Sequence, residues 1–159
     1  MTSKLEELQM SIFDQVNDGI KQAMKAHDKG RLEALRGIKA EFLLIKTAPG
    51  NNGEVSDENA LKVLVRMAKQ RKESAQIYIG QQRQDLADVE LLQASVIEEF
   101  LPKQMTEEEL TAHIQSIIEQ TGASSMKDMG KVMGIATKQL AGRAEGRAIS
   151  AKVKELLSA

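Results

Sequence analysis

Residues 122–157 read GASSMKDMGKVMGIATKQLAGRAEGRAISAKVKELL, from Gly122 to Leu157. Apolar residues recur in this stretch at helical spacing: Met129, Val132, Met133, Ala136 and Leu140, then Ile149, Val153, Leu156 and Leu157. Between the two sets Gly142 and Gly146 bracket a turn, and Ser125 with Asp128 offers a cap for the first set. The stretch therefore predicts two short amphipathic helices. Its charge is one-sided. Lys127, Lys131, Lys138, Arg143, Arg147, Lys152 and Lys154 stand against Asp128, Glu145 and Glu155, a net of +4, whereas the whole chain carries −1 and the remainder therefore −5.

Working outward, the same logic assigns the rest of the chain. Thr106 and Glu109 form a capping box, Met105 and Leu110 stand at hydrophobic-staple spacing, and Leu110, Ile114, Ile117 and Ile118 make one stripe that Gly122 ends. Further upstream, Ser3 and Glu6 make a capping box for a long first helix carrying Leu5, Leu8, Ile12, Val16, Ile20 and Ala23, ending near His27. Asp28 caps a second helix with Leu32, Leu35, Ile38, Phe42 and Ile45. TAPGNNGEV (47–55) is a loop, rich in the residues that turns require. A third helix starts near Ser56 or Asp57 and stops at Gly80. A fourth runs from about Gln84 to Phe100 with Leu86, Val89, Val96, Ile97 and Phe100 inward, and Pro102 ends it. No run alternates as a strand would. The expected fold is all-α: a four-helix domain over 1–102 followed by a smaller three-helix domain over 103–159.

Composition narrows the function classes. The 159 residues hold no cysteine and no Trp, only 3% aromatics and eight Met. Disulfides and thiolate metal sites are excluded, and the core is expected to be aliphatic. No apolar run approaches the roughly 20 residues that a membrane span requires, and MTSKLEELQM lacks a secretory apolar region, so a cytoplasmic protein is expected. His27 and His113 lie far apart and lack carboxylate companions, so no metal site is expected. No phosphate loop and no strand-linked GxGxxG occurs, and no cofactor is expected. Ser124 and Ser125 sit at a helix start, where capping accounts for them without a nucleophilic role.

With 100° between successive side chains, Lys127, Lys131, Gly134 and Lys138 share a narrow sector opposite the apolar set. Gly130 and Gly134 each cost about 1 kcal/mol relative to Ala inside a helix. A partner's backbone approaching between lysines would make use of them. The candidate binding residues are Lys127, Gly130, Lys131, Gly134, Lys138, Gly142, Arg143 and Arg147, facing an anionic backbone such as RNA phosphates. A solvated lysine face is the plain alternative. A second basic cluster, Arg66, Lys69, Arg71 and Lys72, either extends this track or is a salt-bridged surface interleaved with Glu73.

These residues also carry a resemblance. Asp128-Met-Gly130-Lys131-Val-Met-Gly134, then Lys138, Gly142-Arg143-Ala144 and Gly146, resemble the GatB/YqeY tail domain, and nearly the whole chain resembles the stand-alone YqeY-like form. The further matching pieces are Lys69-Gln-Arg71-Lys72-Glu73-Ser74, Arg83-Gln-Asp85-Leu86-Ala87 and Phe100-Leu-Pro102-Lys-Gln104. The family usually has Asp or Asn where Glu145 stands here, and Glu is the poorer N-cap.

The resemblance implies an all-helical fold whose tail, in glutamine-dependent aminoacyl-tRNA amidotransferases, holds the body of tRNA. It also implies an association with carbon–nitrogen ligase activity that uses glutamine as amide donor. Nothing here resembles the catalytic domain of those enzymes. Three readings stand: a non-catalytic module binding tRNA or another structured RNA, an accessory component acting with amidotransferase subunits, and a protein-interaction module without RNA. The purified chain alone is expected to release no ammonia from glutamine and to transfer no amide to misacylated tRNA, because it lacks cysteine, a phosphate loop and a nucleophile–base pair. Ammonia release by the isolated chain would overturn that expectation.

Overall fold

The computed structural model describes residues 10–158. Among them are seven α-helices and no strand: α1 Ile12–Lys25, α2 Lys29–Thr47, α3 Asp57–Gly80, α4 Gln84–Glu98, α5 Glu107–Thr121, α6 Met129–Gln139 and α7 Gly146–Ser158, with a 3₁₀ turn, Met126–Asp128, ahead of α6. The fold is all-α. The helices fall into two compact units that divide between Leu101 and Pro102, four helices in the first and three in the second.

The first unit is built on an aliphatic core that includes Val16, Leu35, Ile38, Phe42, Leu64 and Ile97, all at 1% exposure or less. Ser11 caps α1, its hydroxyl accepting from the Asp14 amide at 3.1 Å. The expected helix through Ser3 to His27 is therefore not continuous, because Met10 and Ser11 are non-helical. A serine side chain that satisfies an orphan amide marks a new start more strongly than the apolar stripe carries the helix across it. The Ser3–Glu6 box itself lies outside the described residues. Asp28 caps α2 and Ser56 caps α3, each accepting from an amide three residues on at 3.1 Å.

Along α4 the inward set differs from expectation. Val89 is 50% exposed, and the buried positions are Ala87, Ala94, Val96 and Ile97. On α3 the buried set likewise includes Ala60, Ala68 and Ala75. Alanine lets helix backbones approach closely, so small side chains occupy buried positions while Leu91, Leu92 and Val89 stay exposed. Spacing ranks positions by hydrophobicity and does not register that advantage.

The second unit closes over Leu110, Ile114, Ile117, Val132, Ala136, Leu140, Ile149, Val153 and Leu157, with Met105, Met129 and Met133 packed against them. Thr106 caps α5 by accepting from the Glu109 amide at 3.1 Å, and Gly122 ends that helix at φ +69°. A left-handed residue there suits glycine, as the spacing predicts. One lysine is an exception among the charged side chains. Lys152, only 8% exposed, lies 2.7 Å from Glu107 Oε1 and 3.0 Å from Glu155 Oε2, joining α7 to the first turn of α5. Hydrogen bonding to Glu107, then to Glu155, raises its pKa above the ordinary 10.5, against the opposing effect of burial.

Two tests follow from these contacts. Thr106→Ala should destabilise the protein by about 1 kcal/mol in urea denaturation, the usual cost of a lost cap; no change would mean that the amide finds water equally well. The Lys152 ammonium contributes stability that is fully present below the ordinary lysine pKa of 10.5 and is lost as pH rises through the higher folded value. The stability gap between the wild type and Lys152→Met should therefore hold near neutral pH and shrink above pH 10.5. A gap that ignores pH would assign the loss to packing alone.

Candidate functional site

The apolar face of α6 is consumed by the core of the second unit, with Val132, Ala136 and Leu140 fully buried. What remains faces out. Gly130, Lys131, Gly134 and Lys138 are all exposed, as is Lys127 just ahead of the helix. A Cβ built on Gly130 or Gly134 would meet nothing within 4 Å. Neither glycine is required by a neighbour among the described residues. With 1.5 Å rise per residue, Lys131 and Lys138 stand about 10 Å apart along the axis, and Gly134 lies between them.

Lys127 stands differently from the expected helical register. It belongs to the 3₁₀ turn Met126–Asp128, in which each residue advances about 120° and not 100°. A reciprocal cap fixes that turn: Ser125 Oγ accepts from the Lys127 amide at 3.3 Å, and Asp128 Oδ2 accepts from the Ser124 amide at 3.0 Å. Both serines thus serve the helix start, Ser125 through its hydroxyl and Ser124 through its amide.

The remaining candidates divide. Arg147 is exposed on the first turn of α7. Gly142 is buried in the α6–α7 turn at φ +77°, a conformation that glycine adopts without steric cost. Arg143 is engaged within its own unit: its Nε donates to the Lys103 carbonyl at 3.1 Å, and its Nη2 lies 3.8 Å from Glu109 Oε2. Among the described residues no acidic side chain pairs with Lys127, Lys131, Lys138 or Arg147.

This sorts the positive charge more finely than counting could. Lys152 and Arg143, two of the seven cations behind the +4, are matched by Glu107 and Glu109 from outside that stretch. Residues 102–159 as a whole hold eight basic and seven acidic groups, a net of +1. The cationic character is thus a local property of one helix face and its flanks.

The second basic cluster is paired throughout. Arg66 lies 2.8 Å from Glu41, Arg71 3.1 Å from Glu90, and Lys69 3.9 Å from Glu73, while Lys72 pairs with Glu98. It is a salt-bridged surface. His113 exchanges a hydrogen bond with Gln139 at 2.8 Å, whereas His27 is exposed at φ +54°. No three histidines, aspartates or glutamates gather in metal-binding geometry among the described residues. No helix there is long and apolar enough to cross a membrane.

Sequence reasoning did not assign Lys103 and Gln104 a part in the α6–α7 turn. Their contacts with residues 142 and 143 span about forty positions, and no periodicity signals a pairing at that separation.

Over 65 residues the chain is 45% identical to "Altered inheritance of mitochondria protein 41, mitochondrial" of Meyerozyma guilliermondii, a match covering 40% of this chain and 34% of that protein. The chain thus spans about a third of the length of that relative. A family model described as Yqey-like protein matches residues 13–157, from α1 to the end of α7. With the match running through both units, the chain belongs to the family of YqeY-like proteins.

Proposed function

We propose that the protein is a non-catalytic helical module that binds tRNA or another structured RNA through the exposed face of α6. The observation that carries this reading is the pair of helical glycines, Gly130 and Gly134, open to solvent and set among lysines that no carboxylate among the described residues neutralises. Gly134, inside α6, forgoes about 1 kcal/mol of helix propensity that alanine would supply, and no neighbour among the described residues explains it. A phosphate backbone explains both features at once: it approaches the bare helix surface closely and pairs with Lys127, Lys131 and Lys138.

Arg147 adds a cation at the start of α7, where free backbone amides also favour an anion. Contacts of this kind read shape and charge, not base sequence, which suits a folded RNA body. The family's tie to amidotransferases makes their subunits candidate partners of the same module. The reading retains the cytoplasmic location expected from the sequence; the word mitochondrial in the printed name of the Meyerozyma guilliermondii protein is a statement about that protein.

The test is a mobility shift with folded tRNA at two salt concentrations. Lys131→Ala should weaken binding about equally across tRNAs and lower the log–log salt slope by about one unit. Gly134→Glu should weaken it more, since it adds both bulk and negative charge at an open position without disturbing the core. Unchanged affinity in both variants would leave the face as ordinary solvated surface.

A further inference from the structure

Arg143 differs from the other cations of its region in what it already holds. We propose that Arg143 is a latch residue, fastening the connector at residues 103–105 onto the α6–α7 turn, and not a contact for an anionic partner.

Four interactions converge there. The Arg143 Nε donates to the Lys103 carbonyl at 3.1 Å, the Met105 amide donates to the Arg143 carbonyl at 2.9 Å, and Gln104 Nε2 donates to the Gly142 carbonyl. Glu109 lies 3.8 Å from the same guanidinium. Apolar contacts close the arrangement, because Met105 and Ala144 both pack on the core of the second unit. The connector is thereby held at each residue, Lys103 and Met105 through the backbone and Gln104 through its side chain, although it belongs to no helix. Gly142 fits the same purpose, since its left-handed backbone turns its carbonyl into the connector's reach.

The choice of arginine follows from geometry. A guanidinium presents several donors in a planar fork, so one side chain serves a carbonyl and a carboxylate together. A lysine ammonium keeps the charge but cannot hold both partners in that plane. A phosphate at Arg143 would have to share the guanidinium with the Lys103 carbonyl and Glu109, whereas Lys131 and Lys138 need share nothing.

The carbonyl that Arg143 holds belongs to the Lys103–Gln104 peptide bond, a trypsin site. Proteolysis of that bond therefore reads the latch directly. Arg143→Lys and Gln104→Leu should each raise the rate of tryptic cleavage after Lys103 severalfold. The double variant should gain less than the product of the two, because both release the same segment. Cleavage after Lys46, in the first unit, should not change and controls for global unfolding. Gln104 is exposed, so its variant tests the latch even if Arg143 variants fold poorly.

The binding arm rests on the RNA reading. There Arg143→Met should leave the salt slope for folded tRNA unchanged while Lys131→Ala lowers it. Unaltered cleavage after Lys103 in both single variants would overturn the latch. So would a salt slope that falls by about one unit in Arg143→Met, which would make Arg143 a phosphate contact. Absence of any wild-type RNA binding would sink the functional reading alone, and the cleavage rates would still decide the latch.

Discussion

In the second unit, the aliphatic core is the constraint from which the surface follows. A unit of about sixty residues buries a smaller share of its surface on folding than a larger domain does, so each helix must commit a whole face to the core. α6, only 11 residues long, commits Val132 and Ala136, with Leu140 at its C-cap, and half-buries Met129 and Met133. That leaves one side for solvent, and the lysines and glycines are on it. The basic face is what remains when the core is satisfied.

Short helices also have proportionately many unpaired backbone groups at their ends, and the unit meets this demand with side chains. Thr106 and Ser125 cap starts, Asp128 accepts the Ser124 amide ahead of the 3₁₀ turn, Gly122 turns one helix end, and Gly142 shapes the α6–α7 turn. Charge is put to the same use. Lys152 and Arg143 join α7 and its preceding turn to the acidic first turn of α5, so Glu107 and Glu109 hold the cations while also favouring that helix's positive end. In the first unit Arg66, Arg71 and Lys72 are paired with glutamates of neighbouring helices in the same manner. Against these structural pairs, the lysines of α6 stand out by having no such partner among the described residues.

The first unit reaches closeness by a different route. Buried alanines at 60, 68 and 75 of α3 and at 87 and 94 of α4 provide small contact positions where bulky side chains would hold the helices apart. Larger apolar residues of α4 are consequently left half or more than a third exposed. The family match extends across both units, and the relation between this fold and the proposed RNA contact concerns the second unit alone.

The sequence by itself determined the helical class, the seven helices of the described residues, the caps at Asp28, Thr106 and Ser125, and the stop at Gly122, because each depends on residues within a turn or two of one another. It also placed Lys131, Gly134 and Lys138 on one outward face, since 3.6-residue periodicity fixes that locally. Tertiary structure alone decided which cations are spent. Lys152 and Arg143 looked equivalent to Lys131 until α7 and the α6–α7 turn met residues some forty positions upstream. It likewise decided that alanines would be buried in α4 and Val89 left outside, because packing distance depends on the neighbouring helix, which the local pattern does not contain.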